Sequence, residues 1–268
     1  MVCGSLTVMD KQTISRDGTP IAYERTGKGP AVVLVSGAMS TGATVAPLAA
    51  RLSDRFSVIV YDRRGRGASG DTAPYAVDRE VEDLAALIEA AGGEASLYGV
   101  SSGGALVLRA AASALPVRHV AVYEAPFADY GEGGAEERAE YTRNLTEALA
   151  AGRRGDAVEL FLRLTGLAEA VIATARQSPM WADMEAIAHT LAYDDAVMGD
   201  GLVPRERLAS LTVPVLAVAG DASPPWLRRA AEAIAEAAPR GTHRTLQGQT
   251  HMVDPEVLAP VLAEFFSA

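Results

Sequence analysis

The stretch Ala95-Ser-Leu-Tyr-Gly-Val-Ser-Ser-Gly103 contains the pattern that decides the fold. It begins as a short apolar run, passes through Gly99-Val-Ser101-Ser-Gly103, and continues into a segment rich in alanine and leucine. This order predicts a strand, a sharp turn and a helix. The two glycines are needed because a Cβ two residues before or after the serine would clash in so tight a turn. We therefore predict that the Ser101 hydroxyl stands clear of the strand end, where it is a candidate nucleophile.

Similar apolar runs occur on both sides of this turn. They lie at Ala31–Ser36, Phe56–Tyr61, Val117–Tyr123 and Val213–Ala219, with a weaker one at 242–246. Between them, apolar residues recur at the spacing of helices, as at Val81, Leu84 and Ile88. Strands that are apolar on both faces belong in a parallel sheet covered by helices. The alternation predicts an α/β fold with a mostly parallel sheet, preceded by a hairpin that turns at residues 16–19.

One long segment interrupts this alternation. Residues 128 to 207 contain no strand pattern, but amphipathic helical patterns occur at 141–151, 157–164, 167–175 and 181–192. An all-helical insertion between two strands is typical of a cap over the carboxyl edge of the sheet, where α/β proteins bind ligands. We predict a core formed by residues 1–127 and 208–268, with residues 128–207 inserted in it as a helical cap.

Composition excludes several classes of function. The 268 residues include 24 Lys and Arg against 34 Asp and Glu, a formal net charge of −10, so we expect no nucleic-acid partner. A single cysteine, Cys3, cannot form an internal disulfide. Four histidines without zinc-site spacing argue against a metal site. No apolar run reaches the ~18 residues of a membrane span, and no signal peptide is evident, so we expect a cytoplasmic protein without a membrane partner. A homodimer is left open.

His251 is the candidate general base. It lies in Gly248-Gln-Thr-His251-Met, a loop between the last predicted strand and a helix that begins near Pro255. Its late position fits the chain order nucleophile, acid, histidine. The other histidines fall on predicted strands or on a cap helix, where a packed or surface imidazole is the usual outcome: His119, His189 and His243.

Two carboxylates compete for the role of the acid that orients the histidine. The usual acid follows a strand in a Gly-x-x-Asp pattern, but counting from Gly220 places Ser223 there and Asp221 two positions early. Glu124 follows another strand, in Tyr123-Glu-Ala-Pro126. A buried carboxylate at that edge is costly unless a group such as an imidazole N–H pairs with it. The residues favour Glu124 and leave Asp221 open.

Main-chain donors supply the predicted oxyanion hole. The N–H of Ser102 lies at the start of the helix after the turn, and the N–H groups near Gly37 and Ala38 follow an earlier strand. Ser102 is also a rival nucleophile, but its frame would place Val100 at a position that needs glycine.

Aromatic and thioether side chains lie beside these motifs. They suit a flat or bulky apolar substrate, although each could also only pack the cap on the sheet: Met39, Phe127, Tyr130, Met180, Trp181 and Met252. Few charges lie near the motifs, so a strongly anionic substrate is not indicated. We expect a small apolar substrate and neither a metal nor a cofactor.

The order of these motifs along the whole chain resembles an α/β-hydrolase. It runs from Val-Leu-Val-Ser-Gly37 after the third strand, through Asp62-Arg-Arg-Gly-Arg-Gly-Ala-Ser69 after the fourth, to the serine turn, the cap and the late histidine. Most family members carry His-Gly where this chain has Ser36-Gly37, but main-chain donors there can still complete an oxyanion hole. The loop 63–70 is interpreted as a tight structural turn.

A narrower resemblance involves two motifs. Gly99-Val-Ser-Ser-Gly-Gly104 followed by Tyr123-Glu-Ala-Pro126 is similar to the zearalenone lactonase group, in which the glutamate at this place is the acid of the catalytic triad. The resemblance implies the triad Ser101, His251 and Glu124, and by analogy an ester or lactone substrate.

These observations predict a serine hydrolase that cleaves an apolar ester or lactone through an acyl-enzyme on Ser101. Two other functions fit the same fold. One is a biosynthetic cyclase or lyase in which His251 is acid and base and no acyl-enzyme forms. The other is a ligand-binding pseudoenzyme that keeps the pocket and hardly turns over.

Overall fold

The centre of the molecule is one twisted sheet. The computed structural model describes residues 10–128 and 134–268, and Cys3 and Tyr130 lie outside these ranges. Within them, eight strands pair in the order β1-β2-β4-β3-β5-β6-β7-β8. Their bounds are β1 Lys11–Ile14, β2 Pro20–Thr26, β3 Ala31–Val35, β4 Ser57–Tyr61, β5 Ala95–Val100, β6 Val117–Tyr123, β7 Val215–Gly220 and β8 Gly241–Leu246.

The strand directions confirm the predicted α/β class. β1 pairs antiparallel with β2, and these two strands form the predicted hairpin. β2 also pairs antiparallel with β4. All pairs from β4 to β8 are parallel. The helices are α1 Ala46–Leu52, α2 Val77–Ala91, α3 Ser102–Ala111, α4 Gly134–Ala150, α5 Arg154–Leu164, α6 Glu169–Arg176, α7 Trp181–Ile187, α8 Leu191–Met198, α9 Arg205–Ala209, α10 Pro225–Ala237 and α11 Pro255–Phe266.

Both faces of the central strands are buried, which explains their unbroken apolar sequences. Successive side chains of β3 point to opposite faces, so Val33 joins one core cluster and Leu34 the other. Helices α2, α3 and α10 cover the first face, and α1 and α11 cover the second. The carboxyl edge of the parallel strands therefore stays free of these layers, and the loops that leave it are the place for a site.

Helices α4 to α9 occupy the segment between β6 and β7. This segment forms two apolar clusters of its own, and Ala38 and Met39 from the loop after β3 pack against them. The cap thus covers the carboxyl edge near that loop. Its predicted limits, residues 128 and 207, stay a prediction. Inside these limits, Val197 and Met198 of α8 are buried in the core cluster. In the described ranges no helix has the length and apolar character needed to cross a membrane.

Candidate active site

The serine turn takes a strained conformation. β5 ends at Val100, α3 begins at Ser102, and Ser101 between them has φ 55° and ψ −129°. This is a region that residues other than glycine rarely adopt, and it persists only where the surroundings impose it. A Cβ on Gly99 would overlap the Gly103 carbonyl oxygen, and one on Gly103 would lie 2.5 Å from the Val35 oxygen. The glycines at these two positions are therefore required, as the sequence predicts.

The structure brings Glu124 and His251 together. Glu124 follows β6 and is 1% exposed, while His251 lies in the loop between β8 and α11. The distance from His251 Nδ1 to Glu124 Oε2 is 2.8 Å, and the Gly220 N–H donates to Oε1 at 2.8 Å. Because an ionised carboxylate only accepts hydrogen bonds, Nδ1 carries the proton. Nε2 is then free to accept a proton from another group.

The surroundings of Glu124 favour its charged form. Burial raises the pKa of the Glu124 carboxyl, but the hydrogen bonds from His251 and Gly220 more than offset that effect and hold the pKa below its ordinary value. The Ser223 side chain lies near this carboxylate. Ser223 occupies the sequence position at which the acid of the triad is usually found, and in the fold it lies near Glu124.

Asp221 is engaged elsewhere. It is exposed, and its Oδ1 accepts a hydrogen bond from the Gly248 N–H at 2.6 Å, which closes the turn after β8. The described residues include no hydrogen bond between Asp221 and the His251 ring. The geometry therefore favours Glu124 over Asp221 as the partner of the histidine.

The loop that holds His251 is also tied to β6. The Tyr123 hydroxyl donates to the Thr250 carbonyl oxygen at 2.6 Å. The main-chain carbonyl oxygen of Tyr123 accepts a hydrogen bond from the Ser101 N–H at 3.0 Å. One strand end thus contacts the serine turn, the histidine loop and, through Glu124, the imidazole. In the described part of the chain Ser101 Oγ makes no hydrogen bond, and such contacts often tighten only when substrate binds.

The β3 loop, residues 36–40, lies against the serine. A Cβ on Gly37 would be 3.0 Å from Ser101 Cβ and 3.6 Å from its Oγ. Met39 has a φ of 53°, so this loop is strained as well. The Gly37 carbonyl oxygen accepts from Arg66 at 2.6 Å and from the Ser40 hydroxyl at 2.7 Å. Since the carbonyl and N–H of a trans peptide point in opposite directions, the Ala38 N–H points away from Arg66.

A buried charge cluster, which we define as Arg63, Arg66, Glu80 and Asp194, lies behind this loop. The sequence interpretation of residues 63–70 as only a tight turn is incomplete, because Arg63 and Arg66 are fully buried and paired with carboxylates. The expectation of few charges near the motifs is wrong for the same reason. One signal was available: Glu80 shares the apolar face of α2 with Leu84 and Leu87. No local pattern marks Asp194.

Ser102 is not free to act as a nucleophile. It is buried, and its hydroxyl donates to Asp194 Oδ1 at 2.8 Å. Its N–H is at the beginning of α3, where helices leave main-chain donors without partners. The structure therefore separates the two serines, with Ser101 on the strained turn and Ser102 bound to the cap.

The residues predicted to touch substrate occupy different surroundings. Trp181 lies inside a cap cluster with its indole N–H donating to Glu185 at 3.0 Å, and Phe127 lies in the core. Met39 packs against both cap clusters. Met180 and Met252 are 68% and 82% exposed, and Tyr130 lies outside the described residues. Met39 belongs to the β3 loop, which lies against Ser101.

Known proteins resemble this chain over most of its length. It is similar to an alpha/beta hydrolase from Sphaerobacter thermophilus DSM 20745, whose crystal structure matches with a TM-score of 0.85 and 52% identity over 96% of this chain and 100% of that one. It is 29% identical over 254 residues to 2-(acetamidomethylene)succinate hydrolase of Mesorhizobium japonicum, covering 90% of each.

A third match is short. An 89-residue stretch, 32% of this chain, is 40% identical to polyketide synthase ThaQ of Burkholderia thailandensis, and it spans only 4% of that protein. The model of the alpha/beta hydrolase family matches residues 32–261, from β3 into α11. Its match agrees with the strand order and with the serine turn at the end of β5. The chain therefore belongs to the alpha/beta hydrolase family.

Proposed function

We propose that this protein hydrolyses an apolar ester or lactone through an acyl-enzyme on Ser101. One observation carries the proposal. A serine in a strained turn faces the β3 loop at the same sheet edge where the His251 ring is bound to a buried glutamate. Strain of this kind at a loop-lined edge is typical of functional sites. The 29% identical relative is named a hydrolase, which supports the reaction class.

In the proposed acylation, Ser101 Oγ attacks the substrate carbonyl carbon while His251 Nε2 takes its proton. Glu124 keeps the other ring proton on Nδ1 and balances the positive charge of the imidazolium. The N–H groups of Ser102 and Ala38 stabilise the negative oxygen of the tetrahedral intermediate. The intermediate collapses, the C–O bond to the leaving group breaks, and the leaving alkoxide takes the proton from Nε2.

Deacylation repeats these steps with water in the place of the serine. His251 takes a proton from water as its oxygen attacks the ester carbonyl, and then returns a proton to Ser101 Oγ as the acid leaves. For a lactone the leaving hydroxyl stays attached to the acyl group, so the product is one hydroxy acid. The resemblance of residues 99–104 and 123–126 to the zearalenone lactonase group supports a lactone.

The surroundings of the β3 loop support an apolar substrate. Ala38 and Met39 of the β3 loop pack against the same cap cluster as three half-buried apolar side chains of the cap: Leu149, Leu160 and Phe161. Arg63 and Arg66 are buried, and each is bound to a carboxylate and to main-chain oxygen, which argues against a substrate carboxylate as their partner. These surroundings favour a substrate held by apolar contacts.

Fluorophosphonate labelling with intact-mass measurement tests the proposal. We expect one adduct per chain, located on Ser101 by peptide mapping, and a parallel loss of nitrophenyl ester hydrolysis. Ser101→Ala should abolish labelling and lower kcat by about 10⁴-fold or more while the fold is kept. Ser113→Ala, which removes an exposed hydroxyl two residues after the end of α3, is the matched control and should behave as wild type. A folded wild-type protein without adduct and without ester hydrolysis would contradict the proposal and favour the cyclase, lyase or pseudoenzyme.

A further inference from the structure

A carboxylate from the cap reaches the loops around Ser101. Asp194 belongs to α8 and is buried. Its Oδ1 accepts hydrogen bonds from Arg63 at 2.7 Å and from the Ser102 hydroxyl at 2.8 Å. Its Oδ2 accepts from Arg66 at 2.6 Å. Burial raises the pKa of the Asp194 carboxyl, but the charges of Arg66 and Arg63 more than offset this effect. The pKa therefore lies below its ordinary value.

The two arginines carry these contacts on to the β3 loop. Arg63 donates to the Ser36 carbonyl oxygen at 3.4 Å, and Arg66 donates to the Gly37 carbonyl oxygen at 2.6 Å. The other edge of the Arg63 guanidinium binds Glu80 at 2.7 and 2.8 Å, which fixes its plane. Two consecutive peptides of the loop are therefore held by guanidinium groups that share Asp194.

Holding these carbonyl oxygens orients the main-chain donors. The Ser36 carbonyl is in one peptide with the Gly37 N–H, and the Gly37 carbonyl is in one peptide with the Ala38 N–H. Because a trans peptide is planar, fixing one end of each unit fixes the opposite N–H. On the other side of the serine, Asp194 holds the side chain of Ser102, whose own N–H begins α3.

We propose that Asp194 is a positioning residue, through which the cap orients the oxyanion-hole donors on both sides of Ser101. This inference rests on the proposed hydrolysis and deepens it. The cap then contributes to the rate of the chemical step as well as to substrate selection, although Asp194 touches no reacting atom. A donor shifted from the position of the developing negative charge stabilises the transition state less, while binding of the ground-state substrate changes little.

Asp194→Asn tests the inference because asparagine keeps the volume but removes the charge and one of the two accepting atoms. The matched control is Asp195→Asn, at the next position. Asp195 is half-buried and pairs with Arg138 of α4 at 2.6 Å, so this variant loses a cap ion pair without a contact to the β3 loop.

Both variants are compared with wild type for kcat and KM on nitrophenyl acetate, with active sites counted by complete fluorophosphonate labelling. We expect Asp194→Asn to lower kcat per active site by about 10- to 100-fold with KM within about twofold. The inhibition constant of a trifluoromethyl ketone, whose adduct places an oxyanion in the hole, should rise by the same factor. Asp195→Asn should stay within about twofold of wild type in all three quantities.

Ser102→Ala keeps the inference testable if Asp194→Asn does not fold. It removes one hydroxyl and keeps the main-chain N–H and both arginine pairs. We expect kcat per active site to fall by about 3- to 10-fold, again with KM unchanged. A purely structural role would lower the melting temperature or the number of labelled sites and leave kcat per labelled site at the wild-type value. That result in either variant, when it folds, overturns the inference.

The two proposals fail in different ways. If wild-type protein neither labels nor hydrolyses esters, the proposed function is wrong and the inference falls with it. If wild type and Asp194→Asn label and turn over equally, the proposed function stands and only the positioning role is wrong.

Discussion

Glu124 combines three properties that an ordinary strand-end residue does not need. Its φ of 46° is strained, its carboxylate is almost fully buried, and both carboxylate oxygens have hydrogen-bond partners. A buried charge is tolerated only when such partners are present, and here one of them is the His251 ring. The sheet order explains the arrangement, because β6 and β7 are neighbours, and Gly220 at the end of β7 donates to Glu124, the residue after β6.

At the residue scale, Glu124→Gln should cripple turnover. An amide in this position favours the wrong imidazole tautomer and does not balance the imidazolium, which can cost ~10⁴ in kcat. Asp221→Asn is the control, because its carboxylate only closes an exposed turn, and we expect kcat within about tenfold of wild type. Both are measured by steady-state kinetics on a nitrophenyl ester and by melting temperature. The opposite ranking of the two variants would move the acid to Asp221.

The pKa of Glu124 also predicts how stability depends on pH. The folded-state pKa is lowered from the ordinary 4.5, so the unfolded chain takes up the proton first as pH falls. The stabilisation is therefore complete above about pH 4.5 and is lost as pH falls through the folded-state value. Urea denaturation of wild type and Glu124→Gln at several pH values between 7 and 3 measures this. The difference in unfolding free energy between the two proteins should shrink towards the acid end, and a constant difference would contradict the assignment.

At the scale of elements, the sequence could predict what depends on neighbours in the chain. β5, the serine turn and α3 follow one another, and their pattern of apolar residues and glycines is local. The cap helix predicted at 181–192 is instead two helices, α7 and α8, with a 3₁₀ turn at 188–190. Thr190 is fully buried there, its hydroxyl donates to the Ile187 oxygen, and its methyl group lies near Gly65. That break is set by a contact with a distant loop, which periodicity does not reveal.

The same distinction applies to the candidate site. Ser101, His251 and Glu124 are each marked by residues beside them in sequence, and the structure places Glu124 against His251. The contact of Asp194 with Arg63, Arg66 and Ser102 joins the cap to two separate core loops. The residues next to Asp194 in sequence form no pattern that predicts these contacts, because only the fold brings its partners together.

Trp181 tests which role an aromatic residue of the cap plays. It is 7% exposed and packs with Val158, Leu162 and Ile172, so Trp181→Ala should lower the unfolding free energy by about 3 kcal/mol through the cavity it leaves. Trp226→Ala, at a 40% exposed position in α10, should cost less than about 1 kcal/mol. Urea denaturation gives both values. A selective rise in KM for bulky esters without loss of stability would assign Trp181 to substrate binding instead.

At the scale of the whole molecule, cap and core are joined by more than a surface contact. Val197 and Met198 of α8 are buried in the core cluster, and the buried charge cluster spans the junction. Breaking such a buried pair is strongly destabilising, because it leaves an uncompensated charge. The cap therefore lacks the loosely packed boundary that separates independent domains.

This predicts a single unfolding transition for the whole chain. The protein has two tryptophans, Trp181 in the cap and Trp226 in the core, so each region carries its own fluorescent probe. Trp181→Phe and Trp226→Phe each leave one probe, and the urea midpoint seen by fluorescence should coincide with the midpoint seen by circular dichroism in both variants. If the variant that keeps Trp181 shows a fluorescence midpoint at a lower urea concentration than its circular dichroism midpoint, the cap unfolds separately from the core.

The route from Asp194 to the β3 loop limits how this scaffold can be recombined. A chimera that receives a cap from a relative to change its substrate range keeps Arg63 and Arg66 in the recipient core, since both lie in the loop after β4. Unless the donor cap brings a carboxylate to the place of Asp194, Arg66 remains buried without its carboxylate partner, and Arg63 keeps only Glu80. Cap shuffling in this protein should therefore treat residues 63, 66, 102 and 194 as one inherited unit, transferred together or left together.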